Sequence, residues 1–393
     1  MKSNSNISNS ERNIKLTRYL LDKKDKNIIN IKKKRNYGID LLRIISMINV
    51  IILHINLFSS LLGLKYSNPN YKSVWLLETM SFWAVDGFAI ISGIVGYRNY
   101  KFSNLIYIWF QASFYSEIIS IYLYFIKRIT TKYLFLSLFP ILINRHWYVN
   151  AYFFLYLFIP FINYGINSLN RKTYKKIIIL FFVFYSIYNI IAISLFGNAS
   201  YNFLNGGYSS LWLMILYIVG GYFGKYLFQT NDHLTLKSFI LWSLIYFFST
   251  FFSSELHYYI ESNKHKKDKM IINLSLINYA SPTIVLQAIS LIMLFSRFNI
   301  NNKYIIKVIK FFTPLTFNVT LSHLRIFQEK IFKVQKFFDW ALNLAPNERF
   351  YKTIIAGTVI YIIFALIDYL RLLLFNQLRI KKICLLIENT IFN

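Results

Sequence analysis

Long apolar runs set the reading of this chain. Ten of them recur, at about 39–62, 74–97, 103–126, 146–168, 177–196, 209–228, 238–258, 272–296, 304–327 and 353–375. A helix needs about 20 consecutive apolar residues to cross the hydrocarbon core of a bilayer, so each run predicts a membrane span. The runs are continuously apolar rather than alternating, which argues against a β-barrel. The expected fold is therefore all-α, a polytopic transmembrane helical bundle of about ten spans. A shorter apolar piece, 133–143, contains Pro140 and predicts a re-entrant or interfacial segment. Segment 331–345 (IFKVQKFFDWALNLA) reads as an amphipathic helix on the membrane surface.

The polar exceptions inside these runs carry the chemistry, because ionisable groups in a membrane helix are costly and usually functional. The first run, from Tyr37 to Leu64, holds Asp40, Arg43, Asn49 and His54. Arg43 and His54 are separated by three turns plus about 20°, so they share a helix face roughly 16 Å apart. An imidazole takes and returns a proton near neutral pH; in a membrane helix it can also be a simple interior hydrogen-bonding group. A guanidinium fork binds phosphate or carboxylate bidentately; Arg43 can equally anchor the helix end or pair with Asp40. The second run adds Glu78, Asp86 and the Ser92-Gly93 pair, the third Gln111 and Glu117, the ninth His323 beside Asn318, Thr320 and Ser322. Small residues such as those at 92–93 commonly serve close helix packing. Trp147 and Tyr148 open the fourth run as an interfacial belt would. His257 and His265 fall in or near a loop and are expected to face solvent.

Composition adds limits. Of 393 residues, 56% are hydrophobic, and the formal net charge is +28. The basic residues lie mostly between apolar runs, which suits the positive-inside rule and anionic lipid headgroups rather than nucleic acid. Through Arg35 the N-terminal stretch holds eleven Lys/Arg against three Asp/Glu. With the basic groups at 171–176 and 379–382 it falls on one side, so both termini are expected in the cytoplasm. The lysines of 264–269 and six Lys/Arg in 325–352 dissent. The expected organisation is a basic, disordered tail over 1–36, a membrane domain over 37–378 and a short cytoplasmic tail over 379–393. The chain has one cysteine, Cys384, and few histidines, so neither an intrachain disulfide nor a metal site is expected.

Four stretches together resemble the integral-membrane acyltransferase-3 family: YGIDLLRIISMINVIILH (37–54), AVDGFAIISGIVGY (84–97), HWYVNAYFFLYLFIPFIN (146–163) and FNVTLSHL (317–324). The family's Arg, ten residues and His in the first helix are met by Arg43 and His54. Its Ser-Gly is met by Ser92-Gly93, and its fourth-helix pattern runs from Trp147 to Asn163. The resemblance implies an enzyme of the cell membrane that moves an acyl group, usually acetyl, from cytoplasmic acyl-CoA to a hydroxyl of a surface polysaccharide or its lipid-linked precursor. It also suggests the short form without a fused extracytoplasmic domain. In that reading Arg43 holds coenzyme A phosphate, and His54 is the general base or a transient acyl carrier. Asp86 and His323 are its partners, Asp86 orienting a histidine, while Ser92 and Trp147 line the donor's passage. A flippase or transporter of lipid-linked sugars, or a polysaccharide polymerase, are the other readings; neither paired broken helices nor a large outward loop stands out for them.

Overall fold

A computed structural model describes residues 35–98, 100–143, 146–196, 204–228, 234–263, 276–328 and 339–392. Among them there are helices and turns but no strand. The expected disorder of residues 1–34 lies outside the described residues, as do Lys264–Lys269, His265 and 331–338.

Helix α1, Tyr37–Phe58, stands at the centre. It packs against α2 (Tyr71–Phe82), α3 (Ala84–Gly96), α11 (Pro282–Phe295), α12 (Lys303–Phe312), α13 (Thr316–Gln328) and α14 (Pro346–Gln377). Around this hub lie α4 (Phe102–Phe125), the short α5 (Thr131–Leu136), α6 (Trp147–Ser168), α7 (Arg171–Phe182) continuing into α8 (Tyr188–Phe196), α9 (Ser210–Tyr222), α10 (Leu236–Asn263) and α15 (Ile380–Phe392).

Among the described residues, seven continuous helical stretches are long and apolar enough to cross a membrane, and the pair α12–α13 makes an eighth when counted as one bent span. The other two expected spans differ for identifiable reasons. Helix α4 is long enough at 24 residues, but Asn104, Gln111, Glu117 and four serines dilute its apolar character. Among the described residues of 272–296 only α11 is helical, and its 14 residues are too few to cross alone. The bend between α12 and α13 is 49°. Pro314 sits in the break, where it supplies no N–H donor and its ring crowds the preceding turn.

Two devices hold the helices at close range. Gly93 on α3 and Gly220 on α9 face each other's helix so tightly that a Cβ on Gly220 would overlap the Ile90 carbonyl, and one on Gly93 the Tyr217 carbonyl. This is packing of the small-residue kind that drives helix association in lipid. The C-terminal end of α6 is gripped by Lys225, whose ammonium donates to the carbonyls of Ile166, Asn167 and Leu169 at 2.8–3.0 Å. Those are carbonyls that a helix end leaves without partners.

Several peripheral segments are tied to the bundle by specific contacts. The 133–143 piece lies against α4 and α6, with Ser137 donating to Glu117, Ser113 to the Leu138 carbonyl and Asn150 to the Ile141 carbonyl. The described end of 331–345 holds a 3-10 turn, Asp339–Asn343; the rest of the expected amphipathic segment lies outside the described residues. Arg349, which is 1% exposed, ties it down by donating to the carbonyls of Ala341, Leu342 and Leu344. Arg325 is buried as well, so two of the six cations that opposed the orientation rule are not loop charges. The tail after 378 forms α15, with Ile380 and Cys384 buried against α4. Hydrogen bonds from Ser103 and the Phe102 amide hold the Glu388 carboxyl below its ordinary range. His257 does not face open solvent; its Nε2 meets the Tyr71 hydroxyl at 3.0 Å and its ring lies 3.9 Å from that of Trp75.

The glycine contact is testable. Gly220→Ala is expected to lower the melting temperature of the purified protein, because the α3–α9 approach must open. Gly165→Ala meets nothing within 4 Å and is expected to be neutral or to stabilise by up to about 1 kcal/mol. Equal melting of both variants would contradict the packing role.

Candidate active site

The two intramembrane histidines meet. His54 Nδ1 lies 2.8 Å from His323 Nε2, joining α1 to α13. The other nitrogen of His323 is 2.5 Å from the Val319 carbonyl one turn earlier. A carbonyl can only accept, so His323 Nδ1 bears the proton and its Nε2, in the neutral ring, accepts. His54 must then donate from Nδ1, which leaves the lone pair on His54 Nε2. The tautomers follow from this chain of partners. His323 is fully buried, with Phe327 and Phe364 edge-on to its ring, whereas His54 is half-buried. The outer histidine is thus positioned by the inner one.

His54 lines a cavity of about 530 Å³ whose wall also includes Arg43, Ser92 and Trp147. From α1 come Arg43, Met47, Val50, Leu53, His54 and Leu57, a single helix face. The shared face expected for Arg43 and His54 is therefore the face that borders this space. Arg43 stands near the start of α1 and pairs with Asp40 Oδ1 at 3.2 Å, itself 26% exposed. Ser92 donates its hydroxyl to the Phe88 carbonyl at 2.8 Å. Trp147 packs 4.6 Å from the Tyr208 ring and 5.7 Å from that of Tyr279, forming an aromatic wall.

Asp86 is not part of this arrangement. It is fully buried on α3 and accepts from Trp212 Nε1 at 3.1 Å through Oδ1. It contacts no histidine by hydrogen bond, so it serves the α3–α9 contact and does not orient either imidazole. The carboxylate that does reach the cavity is Glu78, held by Asn56 Nδ2 at 2.9 Å. His146 also lines the cavity, a residue that the sequence presents only as part of an interfacial cluster. Tyr208 and Tyr279 come from loops before α9 and α11, and no spacing in the sequence links them to Trp147. Among the described residues, no group of three His, Cys, Asp or Glu side chains stands in a metal-holding arrangement.

A histidine pair, a guanidinium on the helix that carries His54 and a largely apolar cavity that both residues border suit transfer of a group from a phosphate-bearing carrier. The comparison with protein families decides the class: the acyltransferase-3 model, an acyltransferase domain, matches residues 36–373. The chain belongs to the acyltransferase-3 family. No curated protein and no solved structure matches it.

In this membrane acyltransferase the hydrogen bond between the histidines predicts a graded outcome. His323→Leu removes the acceptor for His54 Nδ1–H and is expected to lower kcat for acyl transfer by about 10²–10⁴-fold. His323→Gln keeps an accepting oxygen and is expected to recover part of that loss. Wild-type turnover in His323→Leu would refute the positioning role.

Proposed function

We propose that this acyltransferase moves an acyl group, acetyl foremost, from cytoplasmic acyl-CoA to a hydroxyl of a cell-surface polysaccharide or its lipid-linked precursor, in the cell membrane with both termini cytoplasmic. The observation that carries the reading is the single cavity bordered by Arg43 at one end and His54 about three helical turns deeper.

Arg43 would hold the coenzyme's phosphates by charge-assisted hydrogen bonds, with Asp40 fixing the orientation of the guanidinium. The pantetheine arm would lie along the apolar face of Met47 and Val50, past Ser92, and bring the thioester to His54. The lone pair on His54 Nε2 takes the proton of the acceptor hydroxyl. The hydroxyl oxygen forms a bond to the thioester carbonyl carbon, the carbon–sulfur bond breaks, and the imidazolium returns the proton to the departing thiolate. His323 accepts throughout from Nδ1 and keeps the imidazole in the tautomer this requires. The aromatic wall of Trp147, Tyr208 and Tyr279 offers flat surface against which a sugar face can pack.

Purified protein given labelled acetyl-CoA and a glycan acceptor tests the assignment. His54→Ala is expected to abolish transfer with the protein still folded. Arg43→Ala is expected mainly to raise KM for the donor, because it removes binding made before the chemical step. Transfer that survives His54→Ala, or an Arg43→Ala that loses kcat at unchanged donor KM, would overturn the respective role. Movement of lipid-linked sugar without acyl transfer would favour the flippase reading instead.

A further inference from the structure

The cavity that His54 borders has a second polar wall, on α2. Glu78 stands there one turn after Trp75 and one turn before Phe82, and all three border the cavity. Residues three and four apart share a helix face, so α2 presents a carboxyl flanked by two aromatic rings. Asn56 on α1 donates from Nδ2 to Glu78 Oε2 at 2.9 Å. Asn56 lies two residues past His54, about 3 Å along the helix axis, and thirteen past Arg43, about 20 Å. The carboxyl is therefore at about the level of the imidazole, far along the cavity from Arg43.

Glu78 is 5% exposed. Its Oε2 is occupied by the Asn56 amide, and no described residue donates to Oε1 or pairs a cation with it. Burying a carboxyl oxygen without a donor costs free energy. A simple tie between α1 and α2 needs no such oxygen, because a glutamine on α2 would accept from Asn56 without bringing a charge. Asp86, on the same span, also leaves one oxygen, Oδ2, without a partner, but it does not border the cavity. In Glu78 the spare oxygen and the open space coincide.

Three further rings extend this wall. Trp147 lies 4.6 Å from Tyr208, and Tyr208 lies 4.8 Å from Tyr279. Phe82 packs 4.5 Å from Tyr279. Tyr208 and Tyr279 both interact electrostatically with Glu78, which puts the carboxyl beside these rings. Flat rings with a hydrogen-bonding oxygen at their edge suit a molecule that has an apolar face and a rim of hydroxyls. A pyranose has both.

We propose that Glu78 is the residue that positions the acyl acceptor: through Oε1 it takes a hydrogen bond from one hydroxyl of a pyranose, and so decides which other hydroxyl of that sugar meets His54. That the ligand is a sugar rests on the acyl-transfer reading above; the role of Glu78 rests on the cavity wall. The substrate class that fits is a sugar presenting at least two hydroxyls to the wall, with its apolar face on Trp147 and Tyr208. A hydroxyl donating to a carboxylate makes a charge-assisted hydrogen bond, short and directional enough to fix the ring's orientation.

The test uses the full-length protein in nanodiscs of neutral lipid, with labelled acetyl-CoA as donor. The acceptor probe is the surface glycan isolated from a strain that lacks this gene. Glu78→Gln keeps an oxygen for Asn56, so the variant is expected to melt as the wild type does, while an amino group replaces the oxygen that faces the cavity. It should raise the acceptor KM about tenfold, the size of one charge-assisted hydrogen bond, at unchanged donor KM. NMR of the product should show the acetyl group spread over more than one hydroxyl. Asn56→Ser shortens the tie and leaves the carboxyl in place; it should melt lower yet acetylate the wild-type position. Equilibrium binding of the glycan without donor reads the wall without turnover, and Glu78→Gln should weaken it by a similar factor. A Glu78→Gln with wild-type acceptor KM and product, or an Asn56→Ser that spreads the product in the same way, overturns the proposal. Glycan binding that Glu78→Gln weakens, in a wild type that transfers no acetyl group, overturns the acyl-transfer reading alone. A wild type that neither binds nor acetylates the glycan overturns both.

Discussion

A polar side chain inside an apolar helix bundle has to find a partner, and the structure is arranged around how α1 meets that constraint. Its histidine reaches across to α13 and hydrogen-bonds another histidine, which is anchored in turn to its own helix backbone. An unpartnered buried polar group costs several times what a made hydrogen bond contributes. The α1–α13 contact is therefore specified in direction and register as well as in area. The bend at Pro314 is part of the same solution, because it lets α13 take its own course while α12 packs on α1 at a different angle.

Accounting for partners also separates structural charges from chemical ones. Arg371 and Asp368 on α14 are buried and bidentate to each other, with Tyr115 donating to Asp368 at 2.7 Å and Arg371 donating to Tyr107 at 3.2 Å. That cluster fastens α14 to α4 and does not line the His54 cavity. Lys225 is spent on three carbonyls, and Asp86 accepts from an indole through Oδ1, while its buried Oδ2 has no hydrogen-bond partner. His54 differs: one nitrogen is committed to His323 and the ring borders a cavity. Intramembrane charge is a weak sign of function when its partners are protein groups facing only each other, and a stronger one when part of its hydrogen-bonding capacity faces open space.

This distinction explains what could be read from the chain beforehand. The α1 face was legible because eleven residues nearly complete three turns, and a single helix carries both Arg43 and His54. The span pattern was legible wherever twenty apolar residues run unbroken. The pairing of His54 with His323 depends on the approach of two helices far apart in sequence, and residue spacing alone does not reveal it. Asp86 looked equivalent to Glu78, since both are carboxylates on one span. Which of them reaches the cavity depends on the turn around Trp83 and on Trp212 from α9. Helices α4 and α11 fall short of the spans expected from their apolar runs for opposite reasons, one being too polar and the other too short, yet both are integral to the bundle. Tyr208 and Tyr279 enter the site from loops, where periodicity carries no information.

The apolar face between Arg43 and His54 has a chemical consequence beyond packing. Met47 and Val50 occupy the turns between the two polar stations, and Phe82, Val85, Phe88 and Ile277 close the opposite side. In the proposed reaction a thioester lying along this face would meet less bulk water on its way to the imidazole, which would favour transfer over hydrolysis. The same low-dielectric surroundings strengthen the hydrogen bond that sets the His54 tautomer. An open, hydrated cleft would supply a guanidinium and a base equally well, but water would compete there with the acceptor hydroxyl. In the proposed reaction the apolar stripe would matter as much as the two residues it separates, since it would limit which nucleophile meets the acyl group.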